Sequence, residues 1–139
     1  MENKKRNRVS AVIIKNKSVL LIKRVKPSET YYVFPGGGIE EDETPEIAII
    51  RESKEETGFD VKNPQKLFVI NDIERGENYF YLIDNFIGDE PKLGGPEMQR
   101  ANENNQYVFE WVVFSNLDRI TLHPEIAKEK VINKLKELI

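Results

Sequence analysis

The segment 37-GGIEEDETPEIAIIRESKEETGF-59 restricts this chain more than any other part of it. It holds eight carboxylates. It also carries the marks of a helix: Thr44 as a hydroxyl cap, Pro45 at the first helical position, Glu46 in the first turn and Gly58 as the stop. Each helical residue turns about 100° from the last. With Ile47 at zero, Glu55 falls near ~80°, Glu52 near ~140° and Glu56 near ~180°. Three acids thus share one arc, with Ala48 among them leaving room above. Ile49, Ile50 and Ser53 form the face expected to meet the core. Arg51 and Lys54 lie mostly off the acidic arc.

Acids this close repel one another, and the helix dipole disfavours them near the C-terminus. Either the face is solvated, or a cation resolves the conflict. A hard divalent cation with oxygen ligands, held together with substrate phosphates, suits the second reading. Geometry alone leaves both open. Gly36-Gly37-Gly38 ahead of the helix allows a sharp bend and close approach to a ligand. It is neither a P-loop, lacking Gly-Lys-Ser/Thr, nor a dinucleotide fingerprint, lacking the G-x-G-x-x-G spacing.

Composition removes competing chemistries. The chain has no cysteine and one histidine, His123, so disulfides, thiolate nucleophiles and Cys- or His-rich zinc sites are excluded. The net charge of −3 argues against a broad nucleic-acid footprint. The cluster Lys4, Lys5, Arg6 and Arg8 reads as a solubilising terminus. No apolar run reaches the length of a membrane span, and the amino terminus lacks a signal-peptide core. The expectation is one cytoplasmic domain over 1–139.

Strand-like runs cover 9–14, 19–25, 31–34, 66–73, 78–86 and 107–114. A hairpin turn falls at Asn16-Lys17-Ser18, and Ser115 to Asp118 reads as another turn. An amphipathic helix opens at His123-Pro124-Glu125. Residues 88–105, with Gly94-Gly95-Pro96, read as a long surface loop of functional interest. The order of elements predicts an α+β domain, a curved sheet covered by two helices.

The segment from Gly37 resembles the Nudix box, G-x5-E-x7-R-E-U-x-E-E-x-G-U with U apolar. Gly37, Glu43, Arg51, Glu52, Glu55, Glu56, Gly58 and Phe59 fall on its fixed positions. Ser53 departs, standing where an aliphatic residue is preferred, and is expected to bond back to a carbonyl one turn earlier. Phe34-Pro35 before the box, and the strand with Trp111 before the last helix, extend the resemblance loosely over the chain. It implies the Nudix (MutT-like) fold, an α/β/α sandwich around a curved mixed sheet.

The resemblance also implies a hydrolase using Mg²⁺ or Mn²⁺ to cleave a diphosphate linkage in a nucleoside triphosphate or other nucleoside diphosphate derivative. By position, Glu52, Glu55, Glu56 and the Gly36 carbonyl are the metal ligands. Arg51 and Glu43 pair to brace the loop, with Gly58 structural. Glu52 or a loop acid, Glu97 ahead of Glu90 and Glu103, is the catalytic base. Arg24, Gly37 and Gly38 are candidates for substrate contact, Arg24 equally for a surface role. Trp111 reads as core packing and His123 as a residue without a catalytic role. The partner is a small nucleotide-like molecule, and dimers are common among proteins with this resemblance. Two alternatives remain at this stage: a non-catalytic nucleotide-binding or sensor module, and removal of pyrophosphate from RNA 5′ ends.

Overall fold

A computed structural model describes residues 6–92, 102 and 104–138. The first hairpin sets the frame. β1 (Arg8–Lys15) and β2 (Ser18–Val25) pair through Ile14–Val19 and Lys15–Ser18. Asn16 and Lys17 turn the chain with φ of 51° and 59°. Both central residues are therefore left-handed, as the twist of a two-residue hairpin demands.

Beyond the turn the two strands part. β1 pairs parallel with β7 (Gly76–Ile83) and antiparallel with β4 (Gly36–Gly38). β2 pairs antiparallel with β3 (Thr30–Val33) and β9 (Gln106–Val113). β6 (Gln65–Asp72) pairs with β7, and β10 (Leu122–His123) pairs parallel with β3. The result is a mixed, curled sheet in the order β10-β3-β2-β1-β7-β6, with β4 and β9 attached to β1 and β2. A separate small ladder joins β5 (Asp60–Val61) to β8 (Phe86–Ile87).

One helix covers each face. Successive residues of β1 point to opposite sides. Val9, Ala11 and Ile13 enter a cluster with Ala48 and Ile49 of α1 (Pro45–Thr57). Val12 enters a second cluster with Ala127, Val131 and Leu135 of α2 (Glu125–Glu137). Both faces of β1 are buried, so its near-continuous apolar run is the mark of a central strand. The expected sandwich is present. No helix among the described residues is long and apolar enough to cross a membrane.

Three local expectations need correction. The triple glycine is not only a bend: it is strand β4, because it runs against the backbone of β1. A Cβ on Gly36 would collide with the Val9 carbonyl. Ser115 to Asp118 lies within a 3-10 helix, Phe114–Arg119. In α1, Ile50 is exposed, whereas Ala48, Ile49, Ser53, Glu56 and Thr57 are buried. The buried arc centres near ~200°, not ~250°, which puts Ile50 outside it and draws Glu56 in.

Ser53 also differs from its expected role. It is 1 % exposed, and its hydroxyl has no hydrogen-bond partner among the described residues. A back-bond of this kind is made one turn later: Thr57 Oγ1 donates to the Ser53 carbonyl at 2.6 Å. An unpaired buried hydroxyl costs about 1–3 kcal/mol. Ser53→Ala removes that cost with little change in volume. It should raise stability by about 1 kcal/mol in urea unfolding, and a loss of stability would show that the hydroxyl has a partner in solution.

Candidate active site

The site is built where α1 crosses β4. Thr44 caps the helix by accepting from the Ile47 N–H at 3.2 Å. Gly58, at φ 82°, ends it and returns its N–H to the Lys54 carbonyl. These caps fix the rotation of the helix, and therefore which acids face β4.

Arg51 is the hub. Its Nε and Nη2 donate to the two oxygens of Glu43 at 2.5 and 2.7 Å. Nη2 also donates to the Gly38 carbonyl at 3.0 Å, while Nη1 reaches Glu52 at 2.8 Å and Glu55 at 3.2 Å. One planar guanidinium thus ties the preceding loop, strand β4 and two acids of the helix together, as its fixed fork of donors permits. The expected Glu43–Arg51 pair is present. The expectation that Arg51 stands off the acidic arc is not met: its length carries the charge back over the acids, which the position of a Cα cannot show.

The bonds shift the acids in opposite directions. Glu43 is lowered to about 2 by its hydrogen bonds from Arg51 and from the Glu40 N–H. Glu52 moves up, because burial outweighs the hydrogen bond from Arg51; Glu55 adds repulsion and Arg8 attraction. The lowered value couples the charge of Glu43 to stability. Its contribution is present above the ordinary carboxylate value of 4.5 and is lost as pH falls toward 2. Glu43→Gln should therefore lower stability at pH 7, and most of the gap to the parent should be gone by pH 2.5, as read by urea unfolding at both values. A gap that stays constant with pH would contradict the linkage.

Glu52 lies directly over Gly37. A Cβ there would overlap its carboxylate, so the side chain occupies space that only glycine leaves. Glu56 is 6 % exposed. Glu55 is open, with 54 % of its side chain exposed. Among the described residues no three acid or histidine side chains form a ready metal cage. Glu52, Glu55 and Glu56 offer carboxylate oxygens, the donors that a hard divalent cation takes. Mg²⁺ keeps waters and takes one or two carboxylates plus substrate phosphates. An all-oxygen donor set, with Glu52 largely shielded from water, fits such an ion.

Other candidates land elsewhere. Arg24 sits 3.7 Å from the Tyr107 ring centroid, and its Nη2 donates to Asn105 at 2.7 Å, so these neighbours hold the guanidinium. Its Nε is buried without a partner among the described residues. Glu90 is an exposed loop residue, whereas Glu97, Glu103 and Gly94-Gly95-Pro96 lie outside the described residues. Trp111 packs against the α1-side cluster, its ring 6.4 Å from Phe86. Glu46, unassigned from sequence, accepts from the Tyr81 hydroxyl at 2.8 Å and pins the first turn of α1 to β7.

The sequence reading missed a cleft of about 940 Å³ on the opposite side of β1, lined by Arg6, Arg8, Ser10, Tyr31, Phe34, Asn78 and His123 among others. His123 forms part of its wall, 5.1 Å from the Tyr31 ring. Arg8 lines the cleft and also acts on Glu52, so the cleft and the acidic face adjoin. The alternation Arg8-Val9-Ser10-Ala11 was the available signal: polar residues on one face of an otherwise apolar strand.

The NUDIX domain family model matches residues 4–132. The chain is 32 % identical over 123 residues to an ADP-ribose pyrophosphatase of Methanocaldococcus jannaschii, covering 87 % of this chain and 70 % of that one. It is 40 % identical over 65 residues to an 8-oxo-dGTP diphosphatase of Proteus vulgaris, covering 44 % and 58 % respectively. Its fold superposes on a MutT NUDIX hydrolase from Burkholderia pseudomallei with a TM-score of 0.72 at 28 % identity, covering 93 % of this chain and 99 % of that one.

Proposed function

The chain belongs to the NUDIX domain family, and we propose that it is a Mg²⁺- or Mn²⁺-dependent hydrolase cleaving the diphosphate linkage of a nucleoside triphosphate or other nucleoside diphosphate derivative. The observation that carries this reading is the carboxylate face of α1 set over Gly37 and braced by Arg51. The named activities of the two curated relatives, pyrophosphatase and diphosphatase, support the same reaction class.

Glu52, Glu55, Glu56 and the Gly36 carbonyl would hold the cation. When bound, the ion neutralises charge on the phosphate oxygens and makes water a better nucleophile. The chain's own residues do the rest. Arg51 keeps Glu52 and Glu55 aimed at one spot. Burial leaves Glu52 readier to take a proton than a solvated carboxylate. Its second role is thus that of a base for the attacking water, with Glu97 the other candidate. Arg8, between cleft and acids, places positive charge where a polyphosphate would pass from one to the other.

The test is a panel of nucleoside triphosphates, nucleotide sugars, ADP-ribose and dinucleoside polyphosphates, assayed for phosphate and pyrophosphate release with Mg²⁺, with Mn²⁺ and with EDTA. Turnover of at least one class, abolished by EDTA, is expected. Tight binding with no turnover across the panel would favour a nucleotide sensor.

A further inference from the structure

A second pocket, of about 460 Å³, shares no residue with the cleft or with the acidic face. It lies at the hairpin end of β1, whereas β4 pairs with the start of that strand. Its volume is in the range of small-molecule sites. Three parts of the chain meet around it. Asn16 and Lys17 turn the hairpin, and the Phe114 N–H donates to the Lys17 carbonyl at 2.9 Å, tying the end of β9 to that turn. Ile132, Leu135 and Lys136 of α2 are three and four residues apart, so they share one side of the helix.

The lining is apolar below and cationic above. Leu117 and Leu135, 1 % and 2 % exposed, belong to the α2-side core cluster and form the floor. Phe114 and Ile132 pack against the same cluster. The pocket therefore opens directly onto the core. Its polar residues are Ser115 and two exposed lysines, Lys17 and Lys136; no acid lines it. Among the described residues neither ammonium has a hydrogen bond or an ion pair. Glu137, beside Lys136 in the chain, turns to Lys134 at 3.9 Å.

Lys17 is also an unexpected residue for its place. Its φ of 59° is left-handed, where such turns favour glycine and other residues are strained. Glycine would fit the turn better and would leave the pocket with one cation fewer. An apolar floor under unpaired cations matches a molecule with an apolar tail and one anionic head. A second copy of the chain fits less well, because a two-fold contact through this patch sets the lysines of one copy against those of the other.

We propose that this pocket binds a medium-chain monocarboxylate, a free fatty acid whose tail lies on Phe114, Leu117, Ile132 and Leu135 and whose carboxylate pairs with Lys17 and Lys136. Covering that floor removes apolar surface from water, and the lysine stems extend the apolar wall up to the charged heads. The site is separate from the diphosphate chemistry and stands whether or not the hydrolase reading does.

Octanoate, butanoate and octylammonium, titrated into the isotope-labelled protein and followed by amide NMR, test this. Octanoate is expected to give saturable shifts at 17, 113–117 and 132–136. It should bind more than tenfold more tightly than butanoate, whose shorter tail leaves much of the floor wet. It should bind roughly tenfold more tightly than octylammonium, which has the same tail and the wrong charge. Lys17→Gly combined with Lys136→Gln removes both cations and relaxes the turn. That variant should melt within a few degrees of the parent and bind octanoate roughly tenfold less tightly. Val113→Glu, at a lining position 42 % exposed, adds a repelling charge and should abolish binding without unfolding the protein. No shift at these positions, equal binding of octanoate and octylammonium, or unchanged affinity in the double variant overturns the proposal. So does a dimer that forms as protein concentration rises and is lost in Val113→Glu, since a second copy then fills the pocket.

Discussion

Glu56→Gln is expected to reduce metal-dependent hydrolysis by about a thousandfold or more, the several kcal/mol that cation stabilisation of a phosphoryl transition state supplies. The substitution keeps volume and shape and removes one negative charge from a side chain that is only 6 % exposed. Glutamine keeps one carbonyl acceptor and the same length, so the side chain can stay in place and the fold should be largely retained. Rate and melting temperature therefore separate: the first collapses, the second stays within a few degrees. The decisive measurement is product release on a confirmed substrate over a range of Mg²⁺ concentrations. Parental turnover in the variant would remove Glu56 from the site and with it the assignment of this face to the metal.

Arg51→Ala should act on both. Arg51 holds two carboxylates that are largely shielded from water, with side-chain exposures of 11 % for Glu43 and 13 % for Glu52. Removing it leaves them beside one another without a counter-charge, and opens the bond to the Gly38 carbonyl. Breaking a shielded pair costs more than the pair's net worth, because the remaining charge stays desolvated. A fall in melting temperature of several degrees is expected, less than for a fully buried pair because Arg51 is partly exposed. Activity should fall as well, since Glu52 and Glu55 lose their aim. Arg51→Lys should recover only part of either, because one ammonium cannot span Glu43, Gly38 and Glu52 at once. A variant with alanine that melts like the parent would mean the network is a surface arrangement without energetic consequence.

Much of this was legible in the chain itself. Local chemistry specified the cap at Thr44, the stop at Gly58, the hairpin at Asn16-Lys17 and the spacing of Glu52, Glu55 and Glu56, because each depends on residues within a turn or two of one another. The pairing of Arg51 with Glu43 also followed from the box.

What the sequence could not decide was which side of a side chain meets what. Helical arithmetic placed Ile50 inward and Arg51 aside. The observed rotation is set by how closely α1 packs on β1 and β4, and by Tyr81 holding Glu46 from β7. The glycines became a strand only because β1 was there to pair with them. Ser53 leaves its hydroxyl unpaired among the described residues, while Thr57 bonds back to the Ser53 carbonyl. The cleft was invisible because Ser10 and Asn78, 68 residues apart, meet only where β1 and β7 run in parallel. Sequence by itself determined the reactive groups and their order along one helix. Tertiary structure decided their orientation, their burial and the company they keep, since those depend on contacts between strands that no local periodicity encodes.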